Sequence, residues 1–317
     1  MRKGETPPGY GLRITNHGLT MMSEIPEFKG KLLFDEPMSE RTSYKIGGPA
    51  DVFAVPEDLP DLQALLKWAH AESQPVFVLG GGNNLLVADK GIRGLVIKLG
   101  KGFLRVNVRG IEVTAGAAAT LSKLTRTSIA RGLSGLEGLT AIPGTVGGAI
   151  CMNAGTPQGC IADTLKTVTA LDMTGEPCEV PAEDLGLVYR GSRVRGRGLI
   201  ITGAVFQLRA EKPEAMIAIV QSLVWKRRQS QPIGVGSAGS VFKNPPGGFA
   251  GQILEEAGAK GMQIGGARVS SKHANFIINT GSATAEDVRQ LMIKLQELAK
   301  ETSGVVLEPE IESVGEW

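Results

Sequence analysis

Apolar residues along this chain fall into short runs broken by glycine and proline, and the first ordered pattern lies between residues 51 and 98. VFAV (52–55) is an apolar run bounded by Asp51 and Pro56, which predicts a buried strand. Leu62, Leu65, Leu66 and Ala69 then recur at i, i+3, i+4 and i+7, one face of a helix. VFVL (76–79) and LVIK (95–98) read as two further strands, separated by the turn Gly80-Gly81-Gly82-Asn83-Asn84. Strand, helix, strand, strand in this order make a compact β-α-β unit.

Residues 100–210 alternate short β-prone runs with glycine turns: IEVTA (111–115), VTALD (168–172) and LIITGAVFQL (199–208). One helix is expected near 120–131, opened by Thr120 as N-cap. The pattern predicts an α+β arrangement built around a loop, not a doubly wound sheet. A third region starts at Pro213, a residue tolerated in a helix's first turn, with a helix to about Gln229. It continues with a helix at 249–257, the strand NFIIN (275–279) and a helix at 285–300. The last helix has Thr284 and Asp287 as a capping pair and Val288, Leu291, Met292, Leu295 and Leu298 on one face. VVLEPEIESV (305–314) is expected as a terminal strand.

Composition narrows the class. Glycine accounts for 43 of 317 residues, about twice the usual share, without a collagen period. Many tight turns, or backbone brought close to a ligand, explain such an excess. A net charge of +2 and 5% aromatics argue against a nucleic-acid surface. Cys151, Cys160 and Cys178 form no C-x-x-C pair, and His17, His70 and His273 are scattered, so no metal site is expected. The cysteines read as reduced thiols of a cytoplasmic protein. No run approaches the ~18 apolar residues of a membrane span. The N-terminus has no apolar signal core; it reads as a loose tail, with Met21 or Met22 as an alternative start.

Five segments carry candidate chemistry, and each has a plainer reading. In the first, Gly80, Gly81, Gly82, Asn83 and Asn84 could converge their N–H groups on a phosphate; a simple turn explains them as well. The dinucleotide fingerprint fails there, because Leu85 stands where its last glycine belongs. The second runs from Ile142, Pro143 and Gly144 through Gly147 and Gly148 to Asn153. Its small residues would admit a dinucleotide pyrophosphate along unshielded N–H groups, or pack as a tight corner. The third, Ser237–Pro245, nearly matches a nucleophile elbow, but Val235 replaces the first glycine. The fourth, Tyr189-Arg190-Gly191-Ser192-Arg193, offers guanidinium groups for a carboxylate or phosphate, or is a solvated basic turn. In the fifth, Leu307–Ile311, Glu310 lies among alternating acids (Glu308, Glu310, Glu312) that a surface strand would also explain.

Taken in order, seven stretches resemble one family: RTSYKIGGPADVFAVP (41–56), VLGGGNNLLVADKGIRGLVI (78–97), GLSGLEGLTAIPGTVGGAICMNAG (132–155), YRGSR (189–193), SAGSVFKNP (237–245), GGARVSSKHANFIIN (265–279) and LEPEI (307–311). It is the UDP-N-acetylmuramate dehydrogenase family, also called UDP-N-acetylenolpyruvoylglucosamine reductase. The resemblance implies an α+β fold with a two-part FAD-binding module of the vanillyl-alcohol oxidase type and a substrate-binding domain. The implied boundaries are a tail at 1–23, the FAD module at 24–88 and 89–212, and the substrate domain at 213–317. It also implies the reaction: NADPH reduces non-covalent FAD, and the reduced flavin reduces an enolpyruvyl ether to a lactyl ether. Ser240 matches the family's proton donor, Arg190 the arginine of its Y-R-x-S motif, and Glu310 the second acid of L-E-P-E. Two roles stay open for Glu310, on the proton path or binding the enol form. Both glycine loops, Gly80–Asn84 and Ile142–Asn153, are implied against the cofactor; Tyr189, Lys243, Asn244 and His273 are implied against the nucleotide sugar.

Three positions depart from the family pattern. Asn83 replaces a usual serine and keeps a polar, turn-tolerant side chain. Ser230 precedes Gln231-Pro232 where many relatives carry lysine, leaving Arg228 or Lys243 to meet the UDP. The only tyrosines are Tyr10, Tyr44 and Tyr189, which excludes the subgroup that clamps substrate with a tyrosine from an inserted loop. Two rivals remain: an oxidase of small alcohols on the same FAD module, and a non-catalytic binder of flavin or nucleotide sugar. The expected partners are the nucleotide sugar and NADPH; no nucleic acid, membrane or obligate protein partner is expected.

Overall fold

The computed structural model describes Ile25, residues 27–317 and the backbone of 13–15 and 18–20, which pair as two short antiparallel strands. The rest of the expected tail, with Met21 and Met22, lies outside the described residues. The chain divides into two compact units. One runs to Asp35 and then takes in Asp51–Gly81 and Gly94–Trp225; the other takes in Glu36–Ala50, Gly82–Arg93 and Lys226–Trp317. The boundaries read from the sequence follow the chain linearly, whereas the second unit gathers three separated stretches.

In the first unit, helix Leu59–Ala71 begins at Asp58, whose carboxylate accepts the Asp61 N–H. Its predicted stripe is buried: Leu62, Leu65 and Leu66 are 0% exposed. At roughly 1.5–3 kcal/mol per fully buried aliphatic side chain, that stripe outweighs the weak propensity terms of a short helix. It packs with Val52, Ala54, Leu95 and Ile97 of a sheet ordered Lys31–Pro37, Pro49–Val55, Ile92–Ile97, Val76–Val78. Val76–Val78 pairs parallel to Ile92–Ile97, with Val76 opposite Leu95.

The second layer of this unit is an antiparallel sheet ordered Pro177–Pro181, Leu165–Leu171, Ile200–Gln207, Glu112–Gly116, Val106–Arg109. Its alternating apolar positions Val113, Ala115, Val168, Ala204 and Phe206 share a core with Leu121 and Leu124 of helix Leu121–Ala130. That helix starts where the sequence places it, Thr120 Oγ1 accepting the Lys123 N–H at 3.1 Å. The sequence pattern predicts loop throughout the second glycine segment, yet Val146–Cys151 is a short helix capped by Thr145. Its two glycines, poor helix formers, hid it from the pattern.

In the second unit, helix Ala285–Ser303 buries Val288, Leu291 and Leu295 completely, with Leu298 partly buried beside them. Three acceptor groups hold its N-terminus. Thr284 and Asp287 form the predicted capping box, and Asp89 accepts the N–H groups of Ala285 and Glu286 at 2.8 and 3.1 Å. Strands Gln263–Ile264, Ala267–Val269 and Ile277–Asn279 form an antiparallel sheet against helix Ala250–Glu256 and the long helix. Leu85–Val87 pairs parallel to Glu312–Val314. Only those last three residues of the expected terminal strand are regular. Pro309 has no N–H, and it lies opposite Phe242 in an isolated antiparallel bridge. Gly91 (φ +90°) is obligatory nearby: a Cβ there would stand 1.8 Å from the Pro49 carbonyl oxygen.

Candidate active site

In the second unit, Gly239 (φ +84°) turns the chain immediately before Ser240. The three residues after Ser240 are held to the unit by backbone hydrogen bonds. The Val241 N–H donates to the Asn275 carbonyl at 2.9 Å, and the Val241 carbonyl accepts the Glu310 N–H at 2.8 Å. The Phe242 N–H donates to Asn275 Oδ1 at 2.9 Å while Asn275 Nδ2 donates to the Phe242 carbonyl at 2.8 Å. The Lys243 N–H donates to the Glu308 carbonyl at 2.8 Å. Ser240 is thereby one residue from the backbone bond that carries Glu310. Ser240 and Glu310 are both half-buried, and Val241 and Phe242 between them are buried.

Glu310 is tied from its other side as well. Asn84 Nδ2 donates to the Glu310 carbonyl at 2.9 Å, and the Asn84 carbonyl accepts the Glu312 N–H at 3.0 Å. The last residue of the first glycine loop therefore acts as a strut under the acid. Along that loop, the amides of Gly80, Gly81, Gly82, Asn83 and Asn84 have no hydrogen-bond acceptor among the described residues. Gly82 (φ +65°) lies where a Cβ would meet the Arg41 carbonyl at 2.3 Å.

In the first unit, a Cβ on Gly80 would stand 2.9 Å from Thr145 Oγ1 and 3.5 Å from Gly148 Cα, so the two glycine loops meet there. The second loop is less open than its composition implies. The amides of Val146 and Gly147 already donate to Ala119 and Ala117, at 2.8 and 2.9 Å, and Gly148 N–H faces Thr145 Oγ1. Gly144 (φ +138°) accepts from Leu121 N–H, and the Ile142 N–H donates to the Leu139 carbonyl. Pro143 between them has no N–H to offer.

Arg190 occupies the left-handed region (φ +56°) at the tip of a turn closed by Val188 and Gly191, which exchange backbone hydrogen bonds at 3.0 and 3.2 Å. Its guanidinium lies 5.1 Å from the centre of the exposed Tyr189 ring. Two bonds pin the turn to the end of the short helix: Ser192 Oγ donates to the Cys151 carbonyl at 2.8 Å, and Asn153 Nδ2 donates to the Val188 carbonyl at 2.9 Å. Asn153, read from the sequence as a cofactor residue, has both ends of its carboxamide engaged by protein, since its Oδ1 accepts the Ala162 N–H at 3.0 Å. It holds the Arg190 turn.

The residues implied against substrate are similarly engaged. Lys243 is ion-paired with Glu308, and Asn244 Oδ1 accepts the Ala250 N–H at the start of helix Ala250–Glu256. His273 Nδ1 accepts the Asn275 N–H at 3.2 Å, and its ring lies 4.9 Å from Phe276 and against Gly251 of that helix. Burial pushes its pKa down; nearby Glu255 opposes and Lys260 adds to that shift. Sequence motifs alone assign no role to Asn275 or Ser192; for Asn275 the available signal is a polar residue set in an apolar run, ANFII.

The described residues contain no cluster of three or more metal-ligating side chains and no helix long and apolar enough to cross a membrane. Cys151, Cys160 and Cys178 are free thiols. Open amides on Gly80–Asn84 fit a phosphate-bearing cofactor. Residues 50–180 match the FAD binding domain family, which makes this a flavoprotein. Residues 231–314 match the C-terminal domain of UDP-N-acetylenolpyruvoylglucosamine reductase. The UDP-N-acetylenolpyruvoylglucosamine reductase of Desulforamulus reducens is 41% identical over 288 residues, 91% of this chain and 95% of that protein. The crystal structure of the Thermus caldophilus UDP-N-acetylenolpyruvylglucosamine reductase superposes with a TM-score of 0.78 at 36% identity, covering 90% of this chain and 98% of that one. The chain belongs to the UDP-N-acetylenolpyruvoylglucosamine reductase family. 6-Hydroxy-D-nicotine oxidase from Arthrobacter nicotinovorans shares the fold alone, with a TM-score of 0.58 at 11% identity over 91% of this chain and 90% of that one.

Proposed function

We propose that this chain reduces UDP-N-acetylenolpyruvoylglucosamine to UDP-N-acetylmuramate in the cytoplasm, with Ser240, Glu310 and Arg190 as its catalytic groups. Family membership supports the reaction, and the backbone bond between Glu310 and Val241 supports the pairing of serine and acid. FAD, when bound, would supply the hydride-transfer chemistry that links NADPH to the enolpyruvyl substrate. Gly80–Asn84 would hold its phosphates with their open amides. The division into a two-part FAD module and a substrate domain belongs to the same proposal.

The protein's own part begins when hydride arrives at the methylene carbon. Negative charge then spreads over the neighbouring carbon and its carboxylate. Arg190 is suited to face that carboxylate, because a fixed guanidinium stabilises developing charge without reorganising. The two bonds made by Ser192 and Asn153 hold the turn that carries it. Ser240 Oγ then gives its proton to the carbanionic carbon, a transfer that a weak acid performs when held in contact with its acceptor. Glu310 either returns a proton to Ser240 or holds the enol form of the substrate. Anaerobic stopped-flow tests the whole proposal. NADPH should bleach the flavin, and the enolpyruvyl substrate should restore its colour without oxygen. Rapid reoxidation by oxygen alone, with no response to the enolpyruvyl compound, would replace this reading with an oxidase.

A further inference from the structure

We propose that Asn275 is a positioning residue for Ser240, an inference that rests on Ser240 being the proton donor. Asn275 is 3% exposed, a buried carboxamide in an apolar run. Such a group is destabilising unless every polar atom finds a partner. Here each does. Its Oδ1 accepts the Phe242 N–H, its Nδ2 donates to the Phe242 carbonyl, and its own carbonyl accepts the Val241 N–H. Its N–H donates to His273 Nδ1, which sets the direction of approach.

The carboxamide therefore does for Phe242 what a neighbouring β-strand would do, supplying one acceptor and one donor to the same residue. The 308–310 segment pairs with the opposite edge, the Glu308 carbonyl accepting the Lys243 N–H and the Glu310 N–H donating to the Val241 carbonyl, so the N–H and carbonyl of Phe242 are left to Asn275. Gly239 on the other side leaves Ser240 on a hinge of high conformational freedom. The direction of Ser240 is then decided by the two residues after it, and Asn275 makes three of the hydrogen bonds that hold them. The same stretch carries the Glu310 amide on Val241. Asn275 thus fixes the register between serine and acid without touching a substrate.

This predicts a defect confined to proton delivery. Asn275→Ala should slow reoxidation of reduced enzyme by the enolpyruvyl substrate roughly 10–10²-fold, the scale of a misplacement near 1 Å. Flavin reduction by NADPH should stay within about twofold. The double variant Asn275→Ala with Ser240→Ala should be no slower than Ser240→Ala alone, since a residue acting through the serine adds nothing once the serine is gone. Asn275→Asp gives an independent arm if the alanine variant does not fold. Its ionised carboxylate would oppose the Phe242 carbonyl, whereas the protonated acid offers the same donor and acceptor as the carboxamide. Its second half-reaction should recover towards wild type as pH falls, relative to the first half. Additive slowing in the double variant, equal slowing of both halves, or no pH recovery in Asn275→Asp would overturn the proposal. A Ser240→Ala enzyme with an unchanged second half-reaction would instead overturn the serine assignment, and the positioning role with it.

Discussion

The backbone N–H of Glu310 donates to the carbonyl of Val241 at 2.8 Å, which sets the acid beside the residue that follows Ser240. Two segments far apart in sequence thereby present a hydroxyl and a carboxyl from adjacent backbone. The catalytic assignment can be tested one group at a time.

Ser240→Ala should leave flavin reduction by NADPH nearly intact, because no carbanion is protonated there. The second half-reaction should slow by on the order of 10²–10⁴, the scale of losing a positioned general acid. Single-turnover traces of the two halves check this. Equal slowing of both halves would refute the serine's role.

Arg190→Ala should also spare flavin reduction and slow the second half-reaction roughly 10²–10³-fold, as removal of one charge-stabilising donor does. Arg190→Lys should recover only part of that loss, since an ammonium lacks the planar fork. Rates against enolpyruvyl substrate concentration separate lost binding from lost transition-state stabilisation.

Glu310→Gln keeps size and hydrogen-bonding capacity but removes the charge and the ionisable proton. A loss of about 10² or more in the second half-reaction places Glu310 on the proton path. A loss below about tenfold leaves it an orienting group. Its backbone bonds to Val241 and to Asn84 Nδ2 use no atom of its own side chain, so they persist in the variant.

Tyr44 is fully buried, and its hydroxyl has no hydrogen-bond partner among the described residues. Burial pushes its pKa up, so the folded state holds the phenolic proton more tightly than the unfolded chain. The sign follows: this contribution is intact below about pH 10 and is lost as pH rises beyond it. Tyr44→Phe removes an orphan polar group and should stabilise the protein by about 1–3 kcal/mol at neutral pH. It should also flatten the alkaline limb of a stability–pH curve measured by urea denaturation. An unchanged alkaline limb would show that other groups control it.

The flavin should be non-covalent, because no histidine lies in either glycine loop to anchor it. Acid precipitation should leave FAD in the supernatant. Flavin retained in the pellet, or FMN in the supernatant, would contradict this.

Periodicity and capping chemistry make the longer helices legible in the sequence, although the glycine-bearing Val146–Cys151 helix escapes them. The stripe on Leu59–Ala71, the Thr120 cap and the Thr284–Asp287 box are local, set by residues within a few positions of one another. The seven motifs placed the chain in its family for a similar reason: their order survives in one dimension. Tertiary structure alone decided the pairing of Leu85–Val87 with Glu312–Val314, the clamp of Asn275 on Phe242, and the strut from Asn84 to Glu310 across 226 residues. It also closed the amides of Val146 and Gly147, which composition had left open. The physical reason is common to all of them. A backbone N–H or a carboxamide has no sequence signature of its partner, since any carbonyl satisfies it equally well. Only the packing of distant segments determines which carbonyl comes within 3 Å.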